Sequence, residues 1–417
     1  MAPTDAVTAS MPSGTALSPD PTPGLVENAR GCPRGVLFGS RELDENFPAA
    51  VQELHAVSPV SADMRFEDTY FVSRYDDVHA ILQDWETYTS ALGVGGLPGE
   101  VNRLIPLEVD PPEHTQWRRL LNPYLTRPRM RQHAPQIRAL ADALLDGIIG
   151  AGPVDLVPAY AQPLPAQVFF QEIFNLPVEQ AAECLEYVEQ AVFSEDYQEK
   201  VVGYGKLAGF VGPLAAAAMQ APVKPDDIVS AVCHAEIDGK PVTIEDAAST
   251  LMMLVLGGLE TTSAVVGGIA HHLGTHPELR EELRGNPELV QSTVEESLRM
   301  FGPATHLRRT VTCPVSLHGK ELREGDTLQM SYVAANFDAA HFDDPNTFDP
   351  RRSPNRHIAF GVGVHRCIGS NLARLVIETS IQAIVDRVGD FEIEGEPRYR
   401  VSPTRALREI TATLSAR

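Results

Sequence analysis

One glycine-rich stretch near the C-terminal end constrains the fold more than any other part of the chain. Residues 360–369 read Phe-Gly-Val-Gly-Val-His-Arg-Cys-Ile-Gly, which places Cys367 among three glycines and beside two basic residues. Glycine permits positive φ angles and lets a backbone approach a flat ligand closely. The apolar, periodic run at residues 370–384 predicts a helix directly after it. A cysteine just before a helix N-terminus is expected to have its thiolate favoured by the helix dipole.

Three interpretations of Cys367 stay open when this stretch is taken alone. A single cysteine in a soluble chain is most often a small, buried apolar residue. His365, two residues away, is a candidate base for a cysteine nucleophile. A thiolate on a glycine-rich loop is also one way in which proteins ligate haem iron. The glycines do not follow the G-x-G-x-x-G spacing, so a dinucleotide site is a poor fit.

Charge and cysteine content exclude several other classes of protein. The 417 residues carry 34 basic and 56 acidic side chains, a net charge of −22, without a basic block, so nucleic acid and membrane are not expected partners. The odd number of widely spaced cysteines favours a reducing, cytoplasmic location over a disulfide framework or a cysteine zinc site. These cysteines are Cys32, Cys184, Cys233, Cys313 and Cys367.

Residues 1–34 are predicted to be a disordered leader. They are rich in Ala, Pro, Ser and Thr and lack the charged and apolar regions of a signal peptide. The longest apolar tract, residues 251–273, is interrupted by Glu260 and two histidines. Charged residues within a membrane span are costly, so this tract is predicted to be a core helix.

A second informative stretch begins with Asp-Pro-Pro-Glu at residue 110. A capping Asp, an early Pro and a Glu three residues after the cap predict the start of a helix. The preceding residues 90–107 are predicted to form a long loop, and loops of this length are usually either functional or disordered. On the predicted helix, His114 and Arg118 are four residues apart and share a face. They either belong to a solvated polar face or bind an anionic group of a ligand.

A long helix is predicted from Ile244 to about Thr275, with Gly-Gly-Leu-Glu-Thr-Thr in its middle. Each glycine within a helix costs about 1 kcal/mol relative to alanine. Glu260 is also out of place in these apolar surroundings, and sequences accept such violations mainly at functional or strained sites. Gly257 and Thr261 share a face, so a ligand can lie against the glycine beside the hydroxyl.

Taken together, four segments in this order resemble the cytochrome P-450 family of haem-thiolate monooxygenases. They are Asp110 to Arg118 (similar to the propionate-binding helix of bacterial members), Gly257 to Thr262 (the oxygen-activation motif), Glu296-x-x-Arg299 (the characteristic helix pair) and Phe360 to Gly369 (the cysteine loop). The resemblance covers roughly residues 35–417 and is nearest to camphor-hydroxylase-type members. It implies one mainly α-helical catalytic domain with a small β-rich region, and haem between the long central helix and the cysteine loop.

The resemblance also implies a role for each candidate site residue. Haem b would be bound by the Cys367 thiolate as axial iron ligand. Glu260 and Thr261 would deliver protons to bound oxygen. Glu296 and Arg299 would form a buried triad with Arg352. The remaining haem-binding residues would be Phe360, Gly361, Gly369 and Gly257 against the porphyrin, and His114, Arg118, Arg309 (with Arg308 as rival) and His365 at the propionates.

The reaction implied by the resemblance inserts one atom of O₂ into an organic substrate and reduces the other to water. Electrons would come from NAD(P)H through a ferredoxin reductase and a ferredoxin. The ferredoxin would dock on the cysteine side, near Arg118, Arg119, Arg366 and Arg374. Two other functions stay open: a haem-thiolate peroxygenase that uses H₂O₂, and a haem sensor that does not oxygenate.

The substrate pocket implied by this fold is mostly apolar, which suits a small hydrophobic, terpenoid-like ligand held by few polar groups. Asn102 is a candidate partner for one carbonyl or hydroxyl group of the substrate, and Arg103 leaves an anionic substrate as an alternative. The predicted pocket residues are Asn102, Leu104, Met253, Leu256, Gly257, Thr305, Leu307 and Thr404.

Overall fold

The computed structural model describes residues 22–27, 32–37, 40–94, 103–194, 196–400 and 404–417. Within these residues the fold is mainly α-helical with a smaller β-rich region, as predicted. The α-helices are α1 (Arg41–Val57), α2 (Tyr75–Gln83), α3 (Glu113–Leu121), α4 (Arg127–Arg131), α5 (Ala134–Asp146), α6 (Pro163–Val168), α7 (Glu179–Val188), α8 (Tyr197–Gln220), α9 (Ile228–Cys233), α10 (Ile244–Gly258), α11 (Glu260–Thr275), α12 (Pro277–Gly285), α13 (Leu289–Phe301), α14 (Tyr332–Asn336) and α15 (Ser370–Arg387).

The described strands are β1 (Leu25–Val26), β2 (Gly35–Val36), β3 (Val60–Asp63), β4 (Thr69–Val72), β5 (Tyr88–Thr89), β6 (Val154–Asp155), β7 (Glu236–Ile237), β8 (Lys240–Pro241), β9 (Leu307–Val311), β10 (Val315–Leu317), β11 (Lys320–Leu322), β12 (Thr327–Met330), β13 (Val388–Arg400) and β14 (Ala406–Ala416). The largest sheet has the strand order β1-β2-β3-β4-β12-β9-β5, and a second has the order β13-β14-β6. Hairpins β7–β8 and β10–β11 are separate. Strand β9, which carries Arg308 and Arg309, is antiparallel to β12.

The central helix of the fold is broken, whereas the sequence predicted a continuous one. Leu259 has φ −94° and ψ −70° and separates α10 from α11. At this point Gly258 allows the Phe169 ring to pack against the helix, because a Cβ there would lie 2.7 Å from Cδ2 of that ring. Helix α11 also packs against α13, α15 and β14. The break is therefore a fixed feature of the core.

Part of the predicted leader belongs to the folded structure. Strand β1 pairs with β2, and the buried side chain of Arg34 places Nε 2.6 Å from Oε1 of Glu53. The Thr22 hydroxyl donates to the same carboxylate. The prediction of disorder is thus wrong for residues 22–27 and 32–34, because a buried guanidinium requires its carboxylate partner and ties these residues to α1. The rest of the predicted leader lies outside the described residues.

Two helical segments are long and apolar enough to cross a membrane by length and composition alone, Tyr197–Gln220 and Ile244–Thr275. In the second segment, 72% of the most apolar 18-residue stretch is buried inside the protein, which is typical of a core helix. In the first segment, 22% of the corresponding stretch is buried. Length and composition of a single helix are weak evidence for a membrane span. The expected absence of a membrane partner therefore stays a prediction.

Candidate active site at Cys367 and the central kink

The loop that contains Cys367 is shaped by two glycines and one backbone hydrogen bond. The Cys367 N–H donates to the carbonyl of Phe360 at 2.8 Å. Gly361 and Gly363 have φ angles of 64° and 72°, which side-chain-bearing residues rarely adopt. A Cβ on Gly363 would collide with the carbonyl oxygen of Leu82. This glycine is therefore needed where the loop packs on the end of α2, in addition to any approach to a ligand.

The Cys367 thiol lies among basic groups but is not a thiolate by virtue of the protein alone. Desolvation by surrounding atoms raises the pKa of the thiol although the residue keeps accessible surface, and a hydrogen bond from the Gly369 N–H opposes the rise. Three guanidinium groups also oppose it, those of Arg118, Arg366 and Arg374. The Gly369 N–H belongs to the capping residue of α15, so its effect on the pKa has the direction expected of a helix N-terminus. Coordination to a metal ion deprotonates a thiol outright, and the nearby positive charges then stabilise the thiolate.

His365 is engaged with groups other than the cysteine. Its Nε2 lies 3.0 Å from Oγ of Ser90 and 3.6 Å from Oδ1 of Asp110. Over the described ranges, no hydrogen bond joins His365 to Cys367. The interpretation of Cys367 as a nucleophile therefore lacks its base, and the raised pKa of the thiol also counts against it.

The four residues predicted to bind haem propionates converge beside this loop. The rings of His114 and His365 are 4.2 Å apart, and Nη1 of Arg118 donates to the carbonyl of Arg366 at 2.8 Å. Burial lowers the pKa of His114 to about 3, and the neighbouring charges of His365, Arg118 and Arg309 act in the same direction. An excess of positive charge next to neutral imidazoles is suited to an anionic ligand.

A buried, orphaned atom tests whether this cluster fits haem. Nε2 of His114 is buried and has no hydrogen-bond partner in the part of the chain that is described. An unsatisfied buried group of this kind costs about 1–3 kcal/mol, so its retention calls for a ligand acceptor. The full donor set comprises two histidines, two arginines and one thiol. It fits a haem group, whose carboxylates accept hydrogen bonds from the nitrogen donors and whose iron accepts the thiolate.

Strand β9 decides which of two neighbouring arginines faces the cluster. Arg309 is buried and lies close to Tyr332 and Asp110. Arg308 points to the other face of the sheet, as adjacent strand residues do, and its Cζ is 5.2 Å from the ring centroid of Phe66. Arg309 is therefore the arginine of the cluster, and Arg308 is not.

Asp110 was predicted to cap a helix, and that prediction is wrong. Helix α3 begins at Glu113, and its capping position makes no side-chain hydrogen bond. Instead, Oδ1 of Asp110 accepts from the backbone N–H of Ser90 at 3.3 Å and from its hydroxyl at 2.9 Å, and Oδ2 accepts from Thr89. Burial acts to raise the pKa of Asp110, but His365 and these hydroxyls hold it well below its usual range. The ionised carboxylate positions His365, a function that the sequence analysis missed.

The break at Leu259, called the kink from here on, leaves one face of the central helix accessible. The Thr261 hydroxyl donates to the carbonyl of Gly257 at 2.9 Å, one of the last four carbonyls of α10 that lack a partner within that helix. Met253, Leu256, Gly257 and Thr261 remain partly accessible in a largely buried region, and their spacing places them on one face. This accessible stripe is mostly apolar and carries one hydroxyl.

Glu260 lies on a different side of the same helix. It is buried and lines a small cavity together with the polar side chains of Gln162 and Ser263. Adjacent helix residues project about 100° apart, so Glu260 and Thr261 face different surroundings. Two neighbours in sequence therefore lie one at the small cavity and the other on the accessible stripe.

The predicted triad forms around the carboxylate of Glu296. Nε and Nη2 of Arg299 each donate to it at 2.8 Å, and Nε of Arg352 lies 3.2 Å from both oxygens. The Asp349 N–H and the Asn355 side chain each donate at 3.0 Å. The side chains of Glu296 and Arg299 are fully buried. One carboxylate therefore ties α13 to the segment that leads to the cysteine loop.

Comparison with known proteins decides the family. The model of the family described as Cytochrome P450 matches residues 215–397. Nocardicin C N-oxygenase of Nocardia uniformis subsp. tsuyamanensis is 32% identical over 344 residues, 79% of this chain and 85% of that protein. The chain belongs to the cytochrome P450 family.

Further relatives agree with this assignment. Steroid C26-monooxygenase of Mycobacterium tuberculosis is 28% identical over 365 residues, 86% of this chain and 89% of that protein. The structure of a Mycobacterium marinum cytochrome P450 in complex with pseudoionone has a TM-score of 0.80 and 26% identity, and covers 88% of this chain and 95% of that one. The predictions of a P450 fold, of a P450 monooxygenase and of haem b with a cysteine thiolate ligand are confirmed.

The structure locates most, but not all, of the residues predicted to line the substrate pocket of this P450. Thr305 is fully buried, and Leu307 at the start of β9 is half-buried. The Thr404 hydroxyl is buried and has no hydrogen-bond partner within the described ranges. Leu104 belongs to the hydrophobic core cluster around the central helix. Asn102 lies outside the described residues, so its proposed contact with substrate stays a prediction.

The basic surface on the cysteine side of this P450 is only partly free of carboxylates. Arg119 and Arg366 are exposed, and Arg118 is half-buried next to them. No ion pair joins these three arginines to a carboxylate within the described part of the chain. Arg374, in contrast, binds Glu295 with Nε 2.6 Å from Oε1. Its charge is therefore partly neutralised, and Arg374 contributes less to this surface than the sequence suggested.

Proposed function

We propose that the protein is a monooxygenase that inserts one oxygen atom into a small hydrophobic substrate, with the Cys367 thiolate as axial ligand of the haem iron. The observation that carries this proposal is the meeting of the Cys367 loop with four nitrogen donors, one of which is buried and unpartnered. When bound, haem supplies the activation of O₂. Everything else is the work of side chains that bind, orient and donate protons.

The binding of haem is assigned to two groups of residues. His114, Arg118, Arg309 and His365 bind the two propionates through charge-assisted hydrogen bonds. Asp110 fixes the ring of His365 through its carboxylate. Phe360, Gly361 and Gly369 would hold the macrocycle from the cysteine loop, and Gly257 from the central helix.

Proton delivery is assigned to Glu260 and Thr261. Glu260 takes up protons at the small cavity that it shares with Gln162 and Ser263. Thr261 carries the only hydroxyl of the accessible stripe and can both accept and donate a proton. Its hydrogen bond to the carbonyl of Gly257 holds the hydroxyl at the kink.

Replacing Thr261 with alanine is expected to uncouple NAD(P)H consumption from product formation. The proton donor is lost, and general acid catalysis typically contributes about 10²–10⁴-fold to a rate. The ratio of product formed to NAD(P)H consumed measures the effect, with a compound that shifts the haem spin state as substrate. Thr261→Ser keeps the hydroxyl and is expected to restore most of the coupling. Unchanged coupling in Thr261→Ala would rule out the proton-donor role.

The substrate is proposed to be a small terpenoid-like or other alicyclic molecule. The accessible stripe with Met253 and Leu256 is apolar, and a structural relative was solved in complex with pseudoionone. Asn102 is proposed to contact one carbonyl or hydroxyl of the substrate. A spin-state binding screen across terpenoids, steroids and aromatic acids tests this proposal. A screen in which only long fatty acids or anionic aromatics bind would contradict it.

The electron donor is proposed to be a ferredoxin, reduced by a ferredoxin reductase with NAD(P)H, in the cytoplasm. Arg118, Arg119 and Arg366 form a positive surface beside the cysteine loop of a chain whose net charge is −22. An acidic ferredoxin is attracted to such a surface, since opposite charges raise association rates.

Reduction of the protein by an acidic ferredoxin is expected to slow as ionic strength rises, because salt screens exposed charges. Stopped-flow reduction at several salt concentrations measures the rate. The double variant Arg119→Gln/Arg366→Gln should lower the rate at low salt and flatten its salt dependence. Arg408→Gln, which removes an exposed charge from β14, should leave both unchanged. A rate independent of salt would exclude this docking surface.

Two other functions compete with O₂-driven oxygenation, namely a peroxygenase and a haem sensor. Neither needs a proton-donating hydroxyl at the oxygen-binding side, so the presence of Glu260 and Thr261 at the kink favours the monooxygenase. Product formation from H₂O₂ alone, at the rate obtained with reduced ferredoxin, would favour the peroxygenase.

A further inference from the structure

An ion pair outside the known motifs of the chain lies directly behind the cysteine loop. We propose that Glu295 and Arg374 are positioning residues that set the reduction potential of the haem iron by fixing the charge next to the Cys367 thiolate. This inference rests on the proposed ligation of iron by Cys367. Nothing in the four motifs includes Glu295, which is the neighbour of the buried Glu296.

The Glu295 carboxylate, on α13, contacts Arg374 on α15 and His357 just before the cysteine loop. Its Oε1 is 2.6 Å from Nε of Arg374, and its Oε2 is 2.8 Å from Nη2 of the same side chain. Nε2 of His357 also lies 3.0 Å from Oε2. The N–H of Ala359 donates to Nδ1 of His357 at 3.3 Å, so Nε2 carries the ring proton and donates it to Glu295. The carboxylate thus accepts three hydrogen bonds.

Arg374 transmits this arrangement to the iron ligand. Its Cζ lies 4.6 Å from the ring centroid of Phe360, so the guanidinium is held over the aromatic face. The carbonyl of Phe360 accepts the N–H of Cys367 at 2.8 Å. Arg374 is also close enough to Cys367 for its charge to favour the thiolate. The positive charge of Arg374 is therefore held against Phe360, the residue whose carbonyl accepts the N–H of Cys367.

Glu295 is a negative group that pairs with one of the three arginines acting on Cys367. Arg118 and Arg366 also act on Cys367, yet neither pairs with a carboxylate among the described residues. Arg374 alone is balanced by a carboxylate. Although burial opposes it, the hydrogen bonds from Arg374 and His357 lower the pKa of Glu295 to about 2. Glu295 therefore stays ionised at neutral pH, and its charge offsets that of Arg374 continuously.

The sign of each effect follows from the charge of the reduced site. Reduction transfers one electron from the redox partner to the iron, and no covalent bond forms or breaks. The electron adds one negative charge, so nearby positive charge stabilises the reduced state. Glu295→Gln removes a negative charge and raises the potential. Arg374→Gln removes a positive charge and lowers it, although both variants break the same ion pair.

Spectroelectrochemical titration of the purified, haem-bound protein without substrate tests the inference. We expect the potential of Glu295→Gln to shift upward, that of Arg374→Gln to shift downward, and that of the double variant to return close to the original value. Arg374→Lys keeps the charge, so its potential should stay near the original even if the bidentate geometry is lost. The pair lies at the wall of a surface cavity of about 370 Å³, so hydrated glutamine side chains are tolerated there.

A matched control and two contrary results make the test decisive. Asp386→Asn removes a carboxylate from the same helix, α15, where Asp386 binds Arg138 at 2.8 Å and has no contact with the cysteine loop within the described ranges. It should shift the potential far less than either variant. Shifts of the same sign in Glu295→Gln and Arg374→Gln, or shifts no larger than that of Asp386→Asn, would overturn the inference. If the unaltered protein lacked the spectroscopic signature of thiolate ligation, the proposed function itself would fail.

Discussion

Replacing Glu296 with glutamine is expected to lower the free energy of unfolding by about 3–5 kcal/mol, the range measured when one partner of a buried ion pair is removed. Glutamine keeps one acceptor oxygen but presents an NH₂ group to donors that need an acceptor. Arg299 and Arg352 would then be left as buried, unbalanced charges. Because the carboxylate holds the segment before the cysteine loop, we also expect most of the haem to be lost. Urea unfolding and the ratio of haem to protein measure the two effects.

An exposed ion pair provides the control for this prediction. Glu282 binds Arg351, and both side chains are partly exposed. Exposed ion pairs contribute about 0–1 kcal/mol, so Glu282→Gln should leave stability and haem content nearly unchanged. A loss below about 1 kcal/mol in Glu296→Gln would mean that the buried network is not required for the fold.

Replacing Cys367 with serine is expected to abolish oxygenation, the largest functional effect in the molecule. A hydroxyl is not deprotonated as a thiol is and does not supply the electron donation that favours O–O cleavage. Substrate turnover with reduced ferredoxin measures the loss. Cys313→Ser is the matched control, because Cys313 is the other exposed cysteine among the described residues and lies between β9 and β10. It should retain full activity, and appreciable turnover by Cys367→Ser would refute the assignment of the ligand.

The predictions that depended on local spacing agree with the structure. Glu296 and Arg299 lie three residues apart on one helix, so a contact between them follows from helix geometry alone. The apolar face with Gly257 and Thr261 follows from the same geometry. The turn between β10 and β11 is local as well, since the adjacent residues His318 and Gly319 both adopt positive φ.

The errors concern contacts between distant parts of the chain. Asp110 has the local signature of a helix cap, yet hydroxyls about twenty residues away on β5 and its flank take its carboxylate. The ion pair between Arg34 and Glu53 holds part of the expected leader against α1. In each case the deciding partner is set by tertiary packing, which local composition and periodicity do not encode.

The visible spectrum of the reduced, carbon monoxide-bound protein tests the central claim most directly. If Cys367 is the axial ligand, the purified protein contains haem and its carbon monoxide difference spectrum has the thiolate signature. In Cys367→His, which offers an imidazole to the iron, that signature should disappear while haem remains bound. A purified protein without haem, or a thiolate signature that persists in Cys367→His, would contradict the account.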